Sequence, residues 1–136
     1  MPSPETLNAF VSAVVSNDHV GAIKDFYHSG ARTSENGEAP TIGLTALIAK
    51  EEAALARVRS MHTHPPRAIA VNGDLVMINW IFDIVDPKGT VRRLDEVAVQ
   101  YWEGDRIRSE CFYYDSARAW SPVTDDADDK SAFPAA

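Results

Sequence analysis

The spacing of apolar residues changes once along the chain, close to residue 60. Before that point apolar side chains recur every three or four residues, as they do along one side of a helix. From Met61 onward they alternate with polar residues or form short apolar runs between turn residues, as in strands. Because the helices precede the strands instead of alternating with them, the order predicts an α+β domain, with the helices packed on one face of an antiparallel sheet.

Three helices are predicted in the first part. Pro4 favours the start of the first, and Asp18 caps a second that is predicted to end at Gly30. Residues 31–42 are predicted to form an irregular connection or a short strand, and residues 44–59 a third helix with one charged side.

Three turn sequences divide the second part into a meander of antiparallel strands, and two adjacent prolines, Pro65 and Pro66, restrict the first strand to an edge or a bulge. The turns are Asn72-Gly73-Asp74, Pro87-Lys88-Gly89 and Glu103-Gly104-Asp105, and the predicted strands cover residues 62–71, 75–85, 90–102 and 106–115.

Composition narrows the class of protein. A chain of 136 residues has room for one core, so residues 1–118 are predicted to form one domain and the acidic residues 119–136 a loosely ordered tail. A net charge of −7 argues against binding to nucleic acid or to anionic membranes. The single cysteine, Cys111, excludes an internal disulfide. With no signal peptide or membrane-length apolar run, we expect a cytoplasmic protein.

The order of helices followed by a meander resembles the nuclear transport factor 2-like superfamily, and within it the SnoaL-like branch related to polyketide cyclases and ketosteroid isomerases. The resemblance covers about residues 5–118 and implies a cone-shaped, curved sheet around a pocket for a small hydrophobic molecule, and a homodimer formed through the sheet. It is carried by the stretches 43–47, 71–76, 94–97, 102–107 and 111–115.

Strand alternation predicts which side chains share a face. A hairpin through residues 87–89 would place the odd positions after residue 92 opposite Ile78, Trp80 and Phe82, and the resemblance implies that this is the concave face. The other face, with Arg92, Gln100, Cys111 and Tyr113, would then form the dimer surface, and a slip of one residue would exchange the two sets. The predicted cavity residues on the strands are Arg93, Asp95, Val97, Trp80, Phe82, Glu110, Phe112 and Tyr114.

Two carboxylates are the candidate catalytic pair. Asp95 among aromatic rings would have a raised pKa and could act as an acid, or it could simply pair with Arg93. Glu35 occupies the place where the resemblance implies the general base, although its neighbours also fit an exposed turn. Tyr114 could donate a hydrogen bond to a ligand or only fill space.

Arg93 and Asp95 also resemble part of the limonene epoxide hydrolase site, in which carboxylates and an arginine activate water. That site needs a second acid on the last strand, where Phe112 is expected instead and Glu110 is one alternation away.

His62 and His64 would share one face of a strand. Imidazole and carboxylate ligands suit zinc or iron, but without a third ligand at motif spacing we interpret both histidines as polar residues at the pocket rim and expect no metal.

Two functions follow from these residues. The first is acid–base chemistry without a cofactor on a hydrophobic carbonyl compound, with Trp80, Phe82 and Phe112 as walls. The second is a non-catalytic module that binds a ligand or dimerises. They differ in whether the two carboxylates share one cavity.

Overall fold

The structure, a computed structural model, describes residues 1–124 and contains three helices and eight strands. The helices are α1 (Pro4–Val15), α2 (His19–Phe26) and α3 (Leu44–Ala56). The strands are β1 (Tyr27–Glu35), β2 (Thr41–Ile42), β3 (Ser60–Thr63), β4 (Ala68–Asn72), β5 (Leu75–Val85), β6 (Val91–Glu103), β7 (Arg106–Tyr113) and β8 (Ser121–Pro122).

The first two helices begin at side-chain caps. The Ser3 hydroxyl accepts a hydrogen bond from the Thr6 amide at 3.1 Å, and the Asp18 carboxylate accepts one from the Gly21 amide at 3.1 Å. Phe10 and Val14 are the buried residues of α1, and they belong to the same core as the inward residues of the sheet. None of the helices in residues 1–124 is long and apolar enough to span a membrane.

The strands form one curved sheet in the order β2-β1-β7-β6-β5-β3, with β4 also paired to β5 and β8 to β6. All pairs are antiparallel except β1 with β7, which is parallel. The predicted α+β class is confirmed. The predicted end of α2 at Gly30 was wrong, since the helix ends at Phe26 and β1 begins at Tyr27. Pairing with β7 holds these residues in the sheet although several of them have low strand propensity.

The prolines divide the first predicted strand into two. β3 and β4 pair separately with β5, and Pro65 and Pro66 lie in the unpaired stretch between them. Proline has no amide hydrogen to donate to a neighbouring strand, so the pairing is interrupted at the two prolines, as predicted.

The hairpin between β5 and β6 decides which side chains face the helices. Val85 lies opposite Val91, so the loop runs from residue 86 to residue 90. The Asp86 carboxylate accepts hydrogen bonds from the amides of Lys88 and Thr90, both at 2.9 Å, and Gly89 supplies the positive φ of 90° that the loop requires. The predicted strand ends, residues 85 and 90, leave four loop residues, and an even number pairs odd positions with even ones. The five loop residues in the structure pair even positions with even ones, so the predicted register of β6 was wrong by one residue.

A bulge in β7 shifts the β6–β7 register by one residue just after the turn. Before the bulge, odd positions of β6 lie opposite even positions of β7, and beyond it even positions lie opposite even positions. Trp102 lies opposite Ile107 and Tyr101 opposite Ser109, which leaves Arg108 as the extra residue. Beyond the bulge Gln100 lies opposite Glu110, so β5 and β7 present the predicted side chains to the helices and β6 alone is reversed.

We call the helix-covered side of the sheet the inner face and the opposite side the outer face. The inner face carries the buried residues Val76, Ile78, Trp80, Phe82, Leu94, Glu96, Ala98, Gln100 and Trp102, and the outer face carries Met77, Asn79, Asp83, Arg93, Asp95, Val97, Tyr101 and Tyr113.

The start of the predicted tail packs on the domain. β8 pairs with β6 next to Arg92 and Arg93, and Trp120 packs against the core. Residues up to 124 thus continue the domain beyond residue 118, and the rest of the predicted tail, 125–136, lies outside the described residues.

Candidate active site

A cavity of about 450 Å³ lies between the helices and the inner face of the sheet. This volume is within the usual range of about 300–1,000 Å³ for small-molecule sites. Its walls are mainly aromatic and aliphatic, with ring planes of Trp80 and Phe82 stacked at 5.9 Å between centroids. Besides those two rings, the aromatic lining consists of Phe10, Tyr27, Phe112, Tyr114 and Trp120.

Glu96 brings an acid into these walls from the middle of β6. It lies directly opposite Trp80 on β5, and only 6% of the residue is exposed. Within residues 1–124 the Glu96 carboxyl group has no hydrogen-bond or ion-pair partner. Every fully buried side-chain nitrogen or oxygen in these residues does have a partner, so the Glu96 oxygens are not fully buried. Because Glu96 lines the cavity, its oxygens open into that cavity. Burial raises the pKa of Glu96 well above its usual value, and the negative charges of Glu110 and Glu35 raise it further.

Glu110, on β7, is equally buried but has donors. The Tyr27 hydroxyl donates to one carboxyl oxygen, and the Gln100 amide donates to the other at 2.6 Å. Gln100 is itself held by the indole N–H of Trp102 at 3.0 Å. Burial raises the pKa of Glu110 to about 7 although both hydrogen bonds lower it. The two inner-face acids therefore differ, because donors favour the ionised form of Glu110 and none favours that of Glu96.

Glu35 lies at the cavity mouth, at the end of β1. Parallel pairing sets it opposite Phe112 on β7, and its carboxylate is 3.5 Å from the ammonium group of Lys50 on α3. Burial raises the pKa of Tyr114, and the neighbouring Glu35 carboxylate raises it further. Glu35, Tyr114 and Glu96 thus contribute to the same cavity.

Glu51 and His19 complete the ionisable lining on the helical side. Burial raises the pKa of Glu51, although the charge of Lys50 lowers it. Burial lowers the pKa of His19, whose Nε2 lies 3.2 Å from the Thr63 hydroxyl. A neutral imidazole is therefore favoured inside the cavity.

Asp95 does not face the cavity, and the prediction that it does was wrong. It lies opposite Ile81 on the outer face, with 45% of its side chain exposed. Its oxygens accept hydrogen bonds from Arg67 at 2.9 Å and from Asn79 at 2.7 Å, away from the aromatic rings of the cavity. The cause is the loop parity of the β5–β6 hairpin.

Four other predicted cavity residues share that outer face. The Arg93 guanidinium donates to Asp83 at 2.7 and 3.0 Å, and His64 Nε2 lies 2.7 Å from the same carboxylate. His62 packs edge-on against His64, so the two histidines do share a face, but away from the pocket rim. The fourth residue, Val97, is 37% exposed. Across residues 1–124 no cluster of three or more potential metal ligands occurs.

The remaining predicted residues, Glu35, Trp80, Phe82, Glu110, Phe112 and Tyr114, line the cavity. Sequence reasoning missed Glu96, Glu51, Tyr27 and His19, and it placed Gln100 on the wrong face. A signal for Glu96 was present, since it alternates with Leu94, Ala98 and Trp102 as a lone acid in an apolar series. Placing Glu96 on the inner face required the correct length of the loop between β5 and β6.

The fold and this cavity define the class of protein: a curved sheet closed by three helices around an acid-containing apolar pocket. No protein-family model matches the sequence, and a search of the curated proteins finds no match. Solved structures do match, and they show that the chain has the nuclear transport factor 2-like fold shared by SnoaL-like and ketosteroid isomerase-like proteins.

Three of these structures illustrate the range. A SnoaL-like protein from Mesorhizobium loti, assigned as a polyketide cyclase, is 24% identical with a TM-score of 0.67, covering 81% of this chain and 97% of its own. A ketosteroid isomerase-like protein from Catenulispora acidiphila, solved with trimethylamine, is 16% identical with a TM-score of 0.71, covering 86% and 90%. An epoxide hydrolase of the limonene epoxide hydrolase-like type from M. tuberculosis is 14% identical with a TM-score of 0.68, covering 84% and 83%. At such low identities the similarity establishes the fold alone, and the chemistry has to be argued from the residues of the cavity.

Proposed function

We propose that the cavity binds a small hydrophobic carbonyl compound and moves a proton on its α-carbon without a cofactor, as an isomerase or cyclase does. The observation that carries this proposal is the Glu96 carboxyl group, buried, without a partner in residues 1–124, and directed into an aromatic cavity. Burial raises the pKa of Glu96 and so favours its protonated form, and a protonated carboxyl is a hydrogen-bond donor for a carbonyl oxygen.

Glu35 is the proposed base. Its carboxylate at the mouth removes the α-proton, and Glu96 donates a hydrogen bond to the oxygen of the enolate that forms. Return of the proton from Glu35 to a different carbon gives the isomer and restores both carboxyl groups. The Lys50 ammonium group lies 3.5 Å from the Glu35 carboxylate and helps to hold it at the cavity mouth.

Hydrolysis of an epoxide through Arg93 and Asp95 is not supported by this arrangement. Both residues lie on the outer face, where Arg93 is paired with Asp83 and Asp95 with Arg67. Although the chain shares its fold with an epoxide hydrolase, Arg93 and Asp95 lie outside the cavity.

Exchange of α-protons for deuterium in a hydrophobic ketone such as phenylacetone tests the proposal directly. NMR would follow the exchange in D₂O with the wild type, Glu96→Gln, Glu35→Gln and Asp95→Asn. We expect either cavity substitution to slow enzyme-dependent exchange by about 100-fold or more, the usual contribution of general acid–base catalysis. Asp95→Asn is the matched control, since it removes a carboxylate from the adjacent residue on the opposite face.

The outcomes separate the two functions. Undiminished exchange in Glu96→Gln would refute the role of Glu96. Binding of the ketone by the wild type without any catalysed exchange would favour the non-catalytic ligand carrier. The predicted homodimer and cytoplasmic location remain predictions.

A further inference from the structure

The deep part of the cavity combines aromatic walls with acids. Glu96 and Glu110 are its buried acidic side chains, with 6% and 4% of each residue exposed. The two cationic side chains that line the cavity, Lys50 and Arg57, are exposed at its mouth. His19 is buried and its pKa is lowered, so it adds no positive charge at neutral pH. Among the described residues, the interior of the cavity therefore offers an anion two carboxyl groups and no positively charged side chain.

We propose that the same cavity is a binding site for a hydrophobic organic ammonium ion, with the Glu96 carboxylate as its counter-ion. This goes beyond the proposed function, because the ammonium ion would occupy the place of the carbonyl compound and compete with it.

Of the three acids Glu35, Glu96 and Glu110, only Glu96 lacks a hydrogen-bond or ion-pair partner within residues 1–124. Glu110 already accepts from Tyr27 and Gln100, and Glu35 already lies beside Lys50. Glu96 has no partner in residues 1–124, and its oxygens open into the cavity. A buried carboxylate is stable only when it is paired, so a cation of suitable size supplies what the protein does not.

The walls suit the other part of such a ligand. Trp80 lies directly across from Glu96, and Phe82 stacks on Trp80. Aromatic faces attract organic cations, with Trp the strongest, and they also contact the alkyl groups that surround a substituted nitrogen.

The proton balance distinguishes this binding from that of a neutral ligand. Burial raises the pKa of Glu96 in the free protein, so at a pH below that pKa a permanent cation displaces the proton to solvent and leaves a carboxylate–ammonium pair. Affinity should therefore rise with pH, by up to about tenfold per unit below the pKa of Glu96. Besides burial, the negative charges of Glu110 from β7, Glu35 from β1, Glu51 from α3 and the preceding residue Asp95 all raise the pKa of Glu96. His19 on α2 and the tyrosines Tyr27 and Tyr114 line the same cavity. Ionisation of Glu110 near pH 7 acts in the same direction.

Calorimetry with three probes that share a phenyl ring tests the proposal: benzyltrimethylammonium, phenylacetone and phenylacetate. Titrations at pH 7 in two buffers of different ionisation enthalpy measure the protons released. We expect the cation to bind at least about tenfold more tightly than phenylacetate and to release up to about one proton. Phenylacetone should release none. Glu96→Gln should weaken cation binding about tenfold or more, because an amide cannot become a counter-ion. It should weaken phenylacetone binding less, because an amide still donates, although more weakly than a carboxylic acid, and Asp95→Asn should have a much smaller effect on both.

No measurable binding of the cation, or equal cation affinity in the wild type and in Glu96→Gln, would each overturn the proposal. A wild-type affinity that does not rise with pH would overturn it even if the variant does not fold. Cation binding without catalysed ketone exchange would leave this inference standing while the acid–base function fails, and exchange without cation binding would do the reverse.

Discussion

Asp95 and Glu96 are adjacent on β6 and direct their carboxyl groups to opposite sides of the sheet. The Asp95 side chain remains 45% exposed and is held by Arg67 and Asn79, whereas Glu96 keeps 6% of its surface and faces aromatic rings. One chain position thus separates a solvated surface ion from a buried acid. This pair is the natural comparison for any experiment on the cavity.

The free energy of unfolding should respond to pH through Glu96. Its pKa is raised in the folded state by burial, so the native protein holds a proton that the unfolded chain releases above about pH 4.5. Stability contributed by this group therefore falls as pH rises. Relative to Glu96→Gln, urea unfolding should show the wild type losing up to about 1.4 kcal/mol per pH unit as pH rises from about 4.5 toward the raised pKa of Glu96.

Asp95→Asn controls for the loss of a carboxylate as such. Asp95 lies on the outer face, so the fall in stability that depends on Glu96 should persist in Asp95→Asn. Parallel wild-type and Glu96→Gln curves across this window would mean that Glu96 ionises freely in the folded protein.

The sequence predicts this fold well where the determinants are local. The apolar run 75–85 is found as β5 with the predicted ends, and the caps Ser3 and Asp18 start α1 and α2. These features depend on residues close to one another in the chain, and the sequence displays them directly.

The errors have a common origin in pairing geometry. Whether Asp95 or Glu96 points inward depends on the parity of the loop that Asp86 organises, and on a bulge at Arg108 in the following strand. β1 exists because β7 offers it a parallel partner. Periodicity within a strand determines which residues share a face, but the face that meets the helices is fixed by neighbouring strands.

Removal of the Tyr27 hydroxyl should raise the pKa of Glu110. Burial already raises that pKa to about 7, and the hydrogen bond from Tyr27 is one of two that oppose the rise. Tyr27→Phe should therefore move the Glu110 carboxyl resonance to a higher titration midpoint in ¹³C NMR. It should also lower the free energy of unfolding by about 1–3 kcal/mol, the usual cost of an unsatisfied buried group.

Tyr101→Phe is the matched control, because Tyr101 is half exposed on the outer face and its hydroxyl can be replaced by water. An unchanged Glu110 midpoint in Tyr27→Phe would mean that the hydrogen bond from Tyr27 does not affect the ionisation of this carboxyl group.

The outer-face pair of Asp83 and Arg93 should affect stability and leave the cavity unchanged. Burial would raise the pKa of Asp83, but hydrogen bonds from Arg93 and His64 lower it overall. Asp83→Asn should cost about 1–2 kcal/mol at pH 7, a value reduced for the partial exposure of the pair. Because the pKa is lowered, this difference should shrink as pH falls below about 3.8.

Ligand titrations on the same Asp83→Asn protein check the second half of that expectation. Affinity for phenylacetone should match the wild type, since the substitution lies on the far side of the sheet. A clear loss of affinity would show that the outer face is coupled to the cavity.

The outer face also supports the expected homodimer. Four of its apolar side chains, Met77, Val97, Tyr101 and Tyr113, are each more than a third exposed. Burial of such a patch against a second copy would be favourable by about 25 cal/mol per Å² of apolar surface. Light scattering at micromolar concentration should therefore give the dimer mass for the wild type and the monomer mass for Val97→Glu. Ile69→Glu places the same charge at an exposed apolar residue that belongs to the inner-face register, opposite Ile78, and should remain dimeric. A monomeric wild type would contradict the expectation, and a dimer that tolerates Val97→Glu would have to form through another surface.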